Sequence, residues 1–233
     1  MNIALLGYGK MGKAIEQIAI DRGHKIVLKT NSNTTSIDLS ETDVAIDFSI
    51  PSTAFNNITT CLKNNTPVIS GTTGWLKEYN KIVENCNVND GAFIYSSNFS
   101  LGVNVFFELN NYLAKMMSNL KQYNISIEEI HHTQKLDAPS GTAISLAEGI
   151  IKNSNKNSWS LDELADNENI LINSKRINEV AGTHKIRYNS AIDSINIEHI
   201  AHNRNGFALG AIIAAEWILN KKGVYSMKDV LGL

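Results

Sequence analysis

The feature that most constrains this chain is Gly7-Tyr8-Gly9-Lys10-Met11-Gly12, a G-x-G-x-x-G turn. It follows a short apolar run, Asn2 to Leu6, that reads as a buried strand. It precedes a segment, Lys13 to Arg22, with apolar residues at Ile15, Ile18 and Ala19 in helical spacing. In a strand–turn–helix setting each glycine has a task. The first permits the tight turn, the second lets backbone approach a pyrophosphate, and the third lets helix and strand pack closely. The helix start adds N–H groups and a partial positive charge for the phosphates. In this setting the motif points to a dinucleotide more than to a purely structural turn.

The pattern after it extends the same layout. Lys25–Lys29, Asp43–Phe48, Pro67–Ser70 and Ala92–Tyr95 read as apolar strands. Helices are expected between them, from Pro51 to about Lys63 and from Trp75 to Cys86, with Pro51 suited to a first helical turn. Apolar strands alternating with helices predict a Rossmann-type, doubly wound parallel sheet covered on both faces. Beyond Asn98–Val103 the style changes. Helices are expected at Leu101–Leu120 and Ala143–Ile151, a strand at Ile125–Ile130, and a polar surface loop over 153–169. His184–Asn189 and Ser194–His202 read as an antiparallel hairpin, followed by an apolar helix, Phe207–Asn220. The expected division is a dinucleotide-binding domain, 1–102, completed by 204–233, and a smaller α+β substrate-binding and oligomerisation domain, 103–203.

Composition narrows the function. Among 233 residues, 21 Lys and Arg stand against 23 Asp and Glu, so no basic excess exists to hold nucleic acid. Cys61 and Cys86 cannot form a disulfide framework. There is neither a basic, apolar leader nor an apolar stretch near 18 residues. The expectation is a cytoplasmic protein with a small-molecule partner and no membrane or nucleic-acid partner.

The second strand ends in Leu28-Lys29-Thr30-Asn31-Ser32, without the acid that would favour NAD by bonding a ribose hydroxyl. Lys29 and the neutral Thr30, Asn31 and Ser32 could accept a 2′-phosphate, or Lys29 could be a solvated charge; Asn31 is expected near the ribose. Gly71-Thr72-Thr73-Gly74 follows the fourth strand at the sheet edge where ligands bind, and also suits a helix cap.

The second concentration of polar residues is His131-His132-Thr133-Gln134-Lys135-Leu136-Asp137-Ala138-Pro139-Ser140-Gly141-Thr142. Two histidines and a lysine leave a strand and enter a helix start, where Ser140, Gly141 and Thr142 can receive a carboxylate. His131, His132 and Lys135 supply protons and positive charge. Adjacent histidines point to opposite sides of a strand and no cysteine joins them, so no metal is expected. Ser140 lacks a Gly-x-Ser-x-Gly elbow, and neither cysteine has an evident base.

Together with Asp47-Phe48-Ser49 and Ser97-Asn98-Phe99-Ser100-Leu101-Gly102-Val103-Asn104, these motifs resemble the dihydrodipicolinate reductase family, over nearly the whole chain. The resemblance implies reduction of 4-hydroxy-tetrahydrodipicolinate in lysine and diaminopimelate biosynthesis, with NADPH or NADH, by a homotetramer. It implies His131 as proton donor, Lys135 as second donor or carboxylate binder, and substrate contacts from His132, Ser140, Gly141 and Thr142. It implies cofactor contacts from Gly7, Tyr8, Gly9, Lys10, Met11, Gly12, Asn31, Phe48, Gly71, Thr72, Thr73, Ser96, Ser97, Asn98 and Phe99. Thr133 and Gln134 are neutral where the family often has a basic residue. Arg176-Ile177-Asn178 and Gly182-Thr183-His184 depart from its Arg-x-Gly and Gly-Glu-His patterns. The rival readings are another Rossmann dehydrogenase, such as one for amino acids, and a non-catalytic nucleotide sensor. Arg204 is expected either to help the site or to join the domains.

Overall fold

A computed structural model describes residues 1–31, 33–163 and 168–233. The chain divides into two compact units, Met1–Leu101 with Asn205–Leu233, and Gly102–Arg204.

In the first unit the chain runs β1 (Asn2–Leu6), α1 (Lys10–Asp21), β2 (Lys25–Thr30), β3 (Val44–Asp47), α2 (Pro51–Lys63), β4 (Val68–Ser70), α3 (Tyr79–Val88) and β5 (Ala92–Tyr95). In the second it runs α4 (Leu101–Met117), β6 (Asn124–His131), α5 (Gly141–Asn153), β7 (Ser158–Leu161), β8 (Asn169–Arg176), β9 (Gly182–Asn189) and β10 (Ser194–Ala201). It then returns to the first as α6 (Asn205–Ile218), β11 (Gly223–Tyr225) and α7 (Met227–Leu231).

The first sheet has the order β11-β5-β4-β3-β1-β2, every pairing parallel. Its side chains alternate between two cores, as a strand period of two demands. Ile3, Leu5, Val44, Ile46, Ile69 and Ile94 pack with α1 and α6 on one face. Ala4, Leu6, Ala45, Val68 and Phe93 pack with α2 and α3 on the other. The sheet is doubly wound, and each fully buried Ile or Leu contributes roughly 1.5–3 kcal/mol. Because β2 lies on one side of β1 and β3 on the other, the topological switch falls between β1 and β3. That is where such sheets bind ligands, beyond the strands' C-terminal ends.

The second sheet has the order β10-β9-β6-β8-β7. β9 runs antiparallel to β6 and β10, while β6, β8 and β7 are mutually parallel neighbours. Helices α4 and α5 cover one face with Phe106, Leu113, Leu146 and Ile150 against Ile127, Ile172 and Ile186. The structure corrects the expected loop over 153–169: Ser158–Leu161 forms β7, an edge strand paired with β8. Residues 164–167 of that stretch, and Ser32, lie outside the described residues. The expected helix from Trp75 begins instead as a single 3-10 turn, Leu76–Glu78, before α3. Among the described residues, no helix is long and apolar enough to cross a membrane.

Candidate active site

The glycine turn of the first unit is built as its sequence requires. Gly7 has φ +96°, and a Cβ there would meet the Phe48 carbonyl oxygen at 2.3 Å. A Cβ on Gly12 would meet the Gly7 carbonyl oxygen at 2.7 Å, so α1 packs directly on the turn. At Gly9 a Cβ would meet nothing within 4 Å. The middle glycine therefore opens onto space, as backbone must to receive a pyrophosphate. Gly9 is the N-cap of α1 and makes no side-chain cap, so nothing from a cap stands before the first turn.

Two clefts lie along this edge and share Ser49. One of about 350 Å³ is lined by Gly9, Lys10, Met11, Phe48, Ser49, Pro51, Gly71, Thr72 and Thr73. The other, about 220 Å³, is lined by Gly7, Thr30, Asn31, Thr34, Ile37, Ser49, Ile50, Thr53 and Asn57. Asn31 is exposed and turned by bonds with Thr34 and Asn33. Lys29, by contrast, is committed: its Nζ lies 2.5 Å from Glu16 and 4.6 Å over the Tyr8 ring, and Tyr8 donates its hydroxyl to Glu16. A 2′-phosphate would have to compete with Glu16 for it.

Asp47 organises this edge and was not among the expected site residues. Its fully buried carboxylate accepts from the Ser49, Ser70 and Thr72 hydroxyls at 2.6, 2.8 and 2.8 Å, and from the Asn57 amide at 3.0 Å. Burial pushes its pKa up while these four donors pull it back. The network ties the ends of β3 and β4 to α2, and Thr72 in turn accepts from the Ser49 N–H. Phe48 lies against Gly71, where a Cβ would fall 2.3 Å from its ring, and 5.7 Å from the Phe99 ring centroid. Phe99 is buried beneath it, Ser97 is exposed, and Ser96 bonds the Asn98 backbone.

The second unit holds the polar cluster. Strand β6 places Ile127, Glu129 and His131 on its helix-covered side by the period of two. Glu129 is fully buried and its carboxylate contacts His131 Nδ1 and, at 2.9 Å, Arg176 Nη2 from β8. Burial opposes ionisation, but bonding to His131 and Arg176 outweighs it and holds the Glu129 pKa at about 2. Arg176 also donates to the Asp137 carbonyl at 2.7 Å and the Lys135 carbonyl at 3.3 Å. Lys135 Nζ grips both oxygens of Asp137, at 2.9 and 2.8 Å. His132 turns away and accepts from Arg204 at 2.9 Å. Burial, then the Arg204 charge, lowers its pKa. Arg204 thus belongs to the cluster.

Ser140 caps α5, accepting the Ala143 N–H at 3.2 Å. Its Oγ lies 3.1 Å from His184 Nε2. At Gly141 a Cβ would meet nothing within 4 Å, so the helix start is open. Ligand atoms of Glu129, His131 and His184 lie within 4.8 Å of one another, a spacing that could hold a metal ion. Each already has a protein partner: Glu129 has His131 and Arg176, and His184 has Ser140.

His184 gives the unit a pH dependence. Burial, then the charge of His131, lowers its pKa to about 3, against about 6.5 in an unfolded chain. A depressed folded pKa means that stability is full above about pH 6.5 and declines as pH falls towards 3, because only the unfolded state takes up the proton. Between pH 6.5 and 4.5 this one group is expected to cost about 2 kcal/mol. Urea melts of the protein and of His184→Gln across that range check it. The variant should show the shallower slope, and equal slopes would contradict the assignment.

Comparisons with known proteins cover both units. The family model described as "Dihydrodipicolinate reductase, N-terminus" matches residues 1–99, and "Dihydrodipicolinate reductase, C-terminus" matches 102–231. A 4-hydroxy-tetrahydrodipicolinate reductase of Christiangramia forsetii is 58% identical over 99% of this chain and 98% of its own. One of Rickettsia rickettsii is 38% identical, over 99% of this chain and 98% of its own. The dipicolinate-bound dihydrodipicolinate reductase of Paenisporosarcina sp. TG-14 shares the fold, with a TM-score of 0.76, 22% identity and 97% of each chain covered.

Proposed function

The chain belongs to the dihydrodipicolinate reductase family, and on that premise we propose that it reduces 4-hydroxy-tetrahydrodipicolinate with NADPH or NADH in lysine and diaminopimelate biosynthesis. The observation that carries this reading is the convergence of His131, Lys135 and an open helix start within one compact unit. A dicarboxylate needs two anion sites and a reducible ring needs a proton; this cluster offers all three.

The first unit, Met1–Leu101 with Asn205–Leu233, holds the cofactor, and Gly102–Arg204 holds the substrate. Gly7, Gly9 and Gly12, with Tyr8, Lys10 and Met11, form the pyrophosphate turn. Phe48, Gly71, Thr72, Thr73 and the Ser96–Phe99 segment form the nicotinamide wall, with Phe99 acting from below by supporting Phe48. When bound, the nicotinamide supplies the hydride.

His131 gives the proton to the substrate as charge develops on the reduced ring. Lys135 holds one carboxylate; in the free chain the Asp137 carboxylate occupies that position and a substrate carboxylate would replace it. The α5 start, shaped by Ser140 and offering the Gly141 and Thr142 amides, holds the other. His132, steadied by Arg204, donates to the substrate from its remaining nitrogen.

We read the protein further as a cytoplasmic homotetramer. Exposed Ile195 and Ile200 on edge strand β10, beside exposed Ile192, support association through that sheet. Light scattering at micromolar concentration tests it, a monomer counting against it.

The function is tested by loss of reduced-cofactor absorbance with the product of a dihydrodipicolinate synthase reaction. Oxidation of both NADPH and NADH is expected; oxidation of neither overturns the reading. Cofactor choice gives a sharper expectation. Asn31 lines the smaller cleft with Gly7 and Thr30. Asn31→Asp should repel a 2′-phosphate and lower the NADPH/NADH ratio of kcat/KM about 10-fold, a change of about 1.4 kcal/mol. An unchanged ratio would remove Asn31 from the ribose.

A further inference from the structure

Glu129 and Arg176 neither bind substrate nor deliver a proton, yet they cost the fold a buried charge pair. A carboxylate and a guanidinium taken out of water must recover their hydration through contacts of good geometry. Glu129 is fully buried and Arg176 mostly so. Beside Ser174 on Glu129 and the Lys175 carbonyl on Arg176, their contacts go to the residues of the site. One Glu129 oxygen meets His131 Nδ1; the other meets Arg176. Arg176 then reaches the carbonyls of Lys135 and Asp137.

We propose that Glu129 and Arg176 are a positioning pair, in which Glu129 fixes a proton on Nδ1 of His131 and Arg176 holds the Lys135–Asp137 turn at the same site. This rests on the reading of His131 as proton donor. A carboxylate can only accept, so the nitrogen facing it must carry a proton. Proton exchange with substrate is thereby confined to Nε2. That edge of the ring is kept open by Gly182 on β9, where a Cβ would come within 3.2 Å of Nε2. His184 stands edge-on to the same ring, at 5.1 Å between centroids, and its proton-poor state keeps a second positive charge away. Asp137 bonds Lys135 from within the turn itself, so without Arg176 that pair would move as a unit.

The decisive change is Glu129→Gln. The Arg176 guanidinium selects the amide oxygen, which turns the amide N–H towards His131 Nδ1. That nitrogen must then accept, and its proton moves to Nε2. To donate from Nε2 the ring must be the imidazolium, with Nδ1–H on Glu129 and Nε2–H on the substrate; an amide at position 129 withdraws the negative charge that stabilises this cation and, in the neutral ring, leaves Nδ1 without its proton. For this chain we expect kcat to fall about 10²–10⁴-fold with substrate KM little changed.

The tautomer is read separately, by ¹⁵N–¹H correlation of the histidine side chains in the protein without substrate or cofactor. Native protein should show neutral His131 protonated on Nδ1, and Glu129→Gln should show it on Nε2. Arg176→Lys keeps the charge but cannot bridge two carbonyls. It should raise substrate KM at least several-fold and leave the His131 tautomer as in the native protein. A native neutral ring with its proton on Nε2 and none on Nδ1, an unmoved tautomer in Glu129→Gln, or an unmoved KM in Arg176→Lys overturns the proposal. These spectra stand whether or not the native protein oxidises cofactor, so failure of the reductase reading shows in the absorbance assay alone.

Discussion

His131→Gln is expected to lower kcat by about 10²–10⁴-fold, the usual cost of removing a positioned general acid, with cofactor affinity intact. The chemistry of the two candidate donors sets this. An imidazole titrates near neutral pH and can be protonated, give its proton and recover it within a cycle, whereas a lysine stays charged unless desolvated. Lys135 is held by the Asp137 carboxylate at 2.8 Å. It is therefore suited to hold a substrate carboxylate. A group that binds ground state and transition state alike raises KM with little effect on kcat. Lys135→Ala should accordingly raise substrate KM above all. Steady-state kinetics of both variants from about pH 5 to 9, at saturating NADPH, separate the roles. Near-normal kcat in His131→Gln with kcat lost in Lys135→Ala would reverse them.

The second large effect lies in the scaffold. Gly210→Ala is expected to destabilise the protein by about 3 kcal/mol or more, at or beyond the upper end for overpacking. A Cβ at Gly210 would fall 1.7 Å from the carbonyl oxygen of Phe99 and 2.8 Å from its carbonyl carbon. Both are backbone atoms, so no rotamer relieves the clash. Helix α6 would have to back out of a core that contains Ala208, Ala211, Ile212, Ala215 and Ile218. The displaced segment carries Ser96–Phe99, so the nicotinamide wall should suffer too. The melting temperature should drop by roughly 6–12 °C, at 2–4 °C per kcal/mol for a chain of this size. Gly206→Ala, in the same helix, is the control. Its Cβ would meet Ser100 Oγ at 3.4 Å, an ordinary contact. Equal melting temperatures for the two variants would contradict this account of α6.

The parallel sheet was legible because its signals are local. A glycine turn between an apolar run and a helical period defines β1 and α1 without knowledge of anything distant. Pro51 marks the start of α2 in the same way. The strands that escaped notice are those whose partners decide them. Asn169–Arg176 follows an Asn-rich stretch and becomes β8 only by lying parallel to β6. Ser158–Leu161 and Gly223–Tyr225 are edge strands of 4 and 3 residues, too short for a period. The site divides along the same line. His131, Lys135 and the Ser140–Thr142 helix start stand in one continuous motif and could be read from it. Arg176, His184 and Arg204 reach that motif from elsewhere in the chain, through a sheet register that spacing does not reveal. Lys29 shows the limit most plainly. It reads as a cation at a strand end, but the turn of α1 that carries Glu16 claims it. Asp47 was visible as a residue, at the close of an apolar strand, but its four donors come from four different positions along the edge.

The central claim is that this chain passes a hydride to the ring of a dicarboxylate that its second unit holds. Single-turnover reduction with NADPH deuterated at the transferable position of the nicotinamide, followed by mass spectrometry of the ring product, measures that directly. The account predicts one deuterium in tetrahydrodipicolinate for each cofactor oxidised, and loss of that product signal in His131→Gln on the same timescale. Cofactor oxidation with no deuterium in the ring product would contradict it.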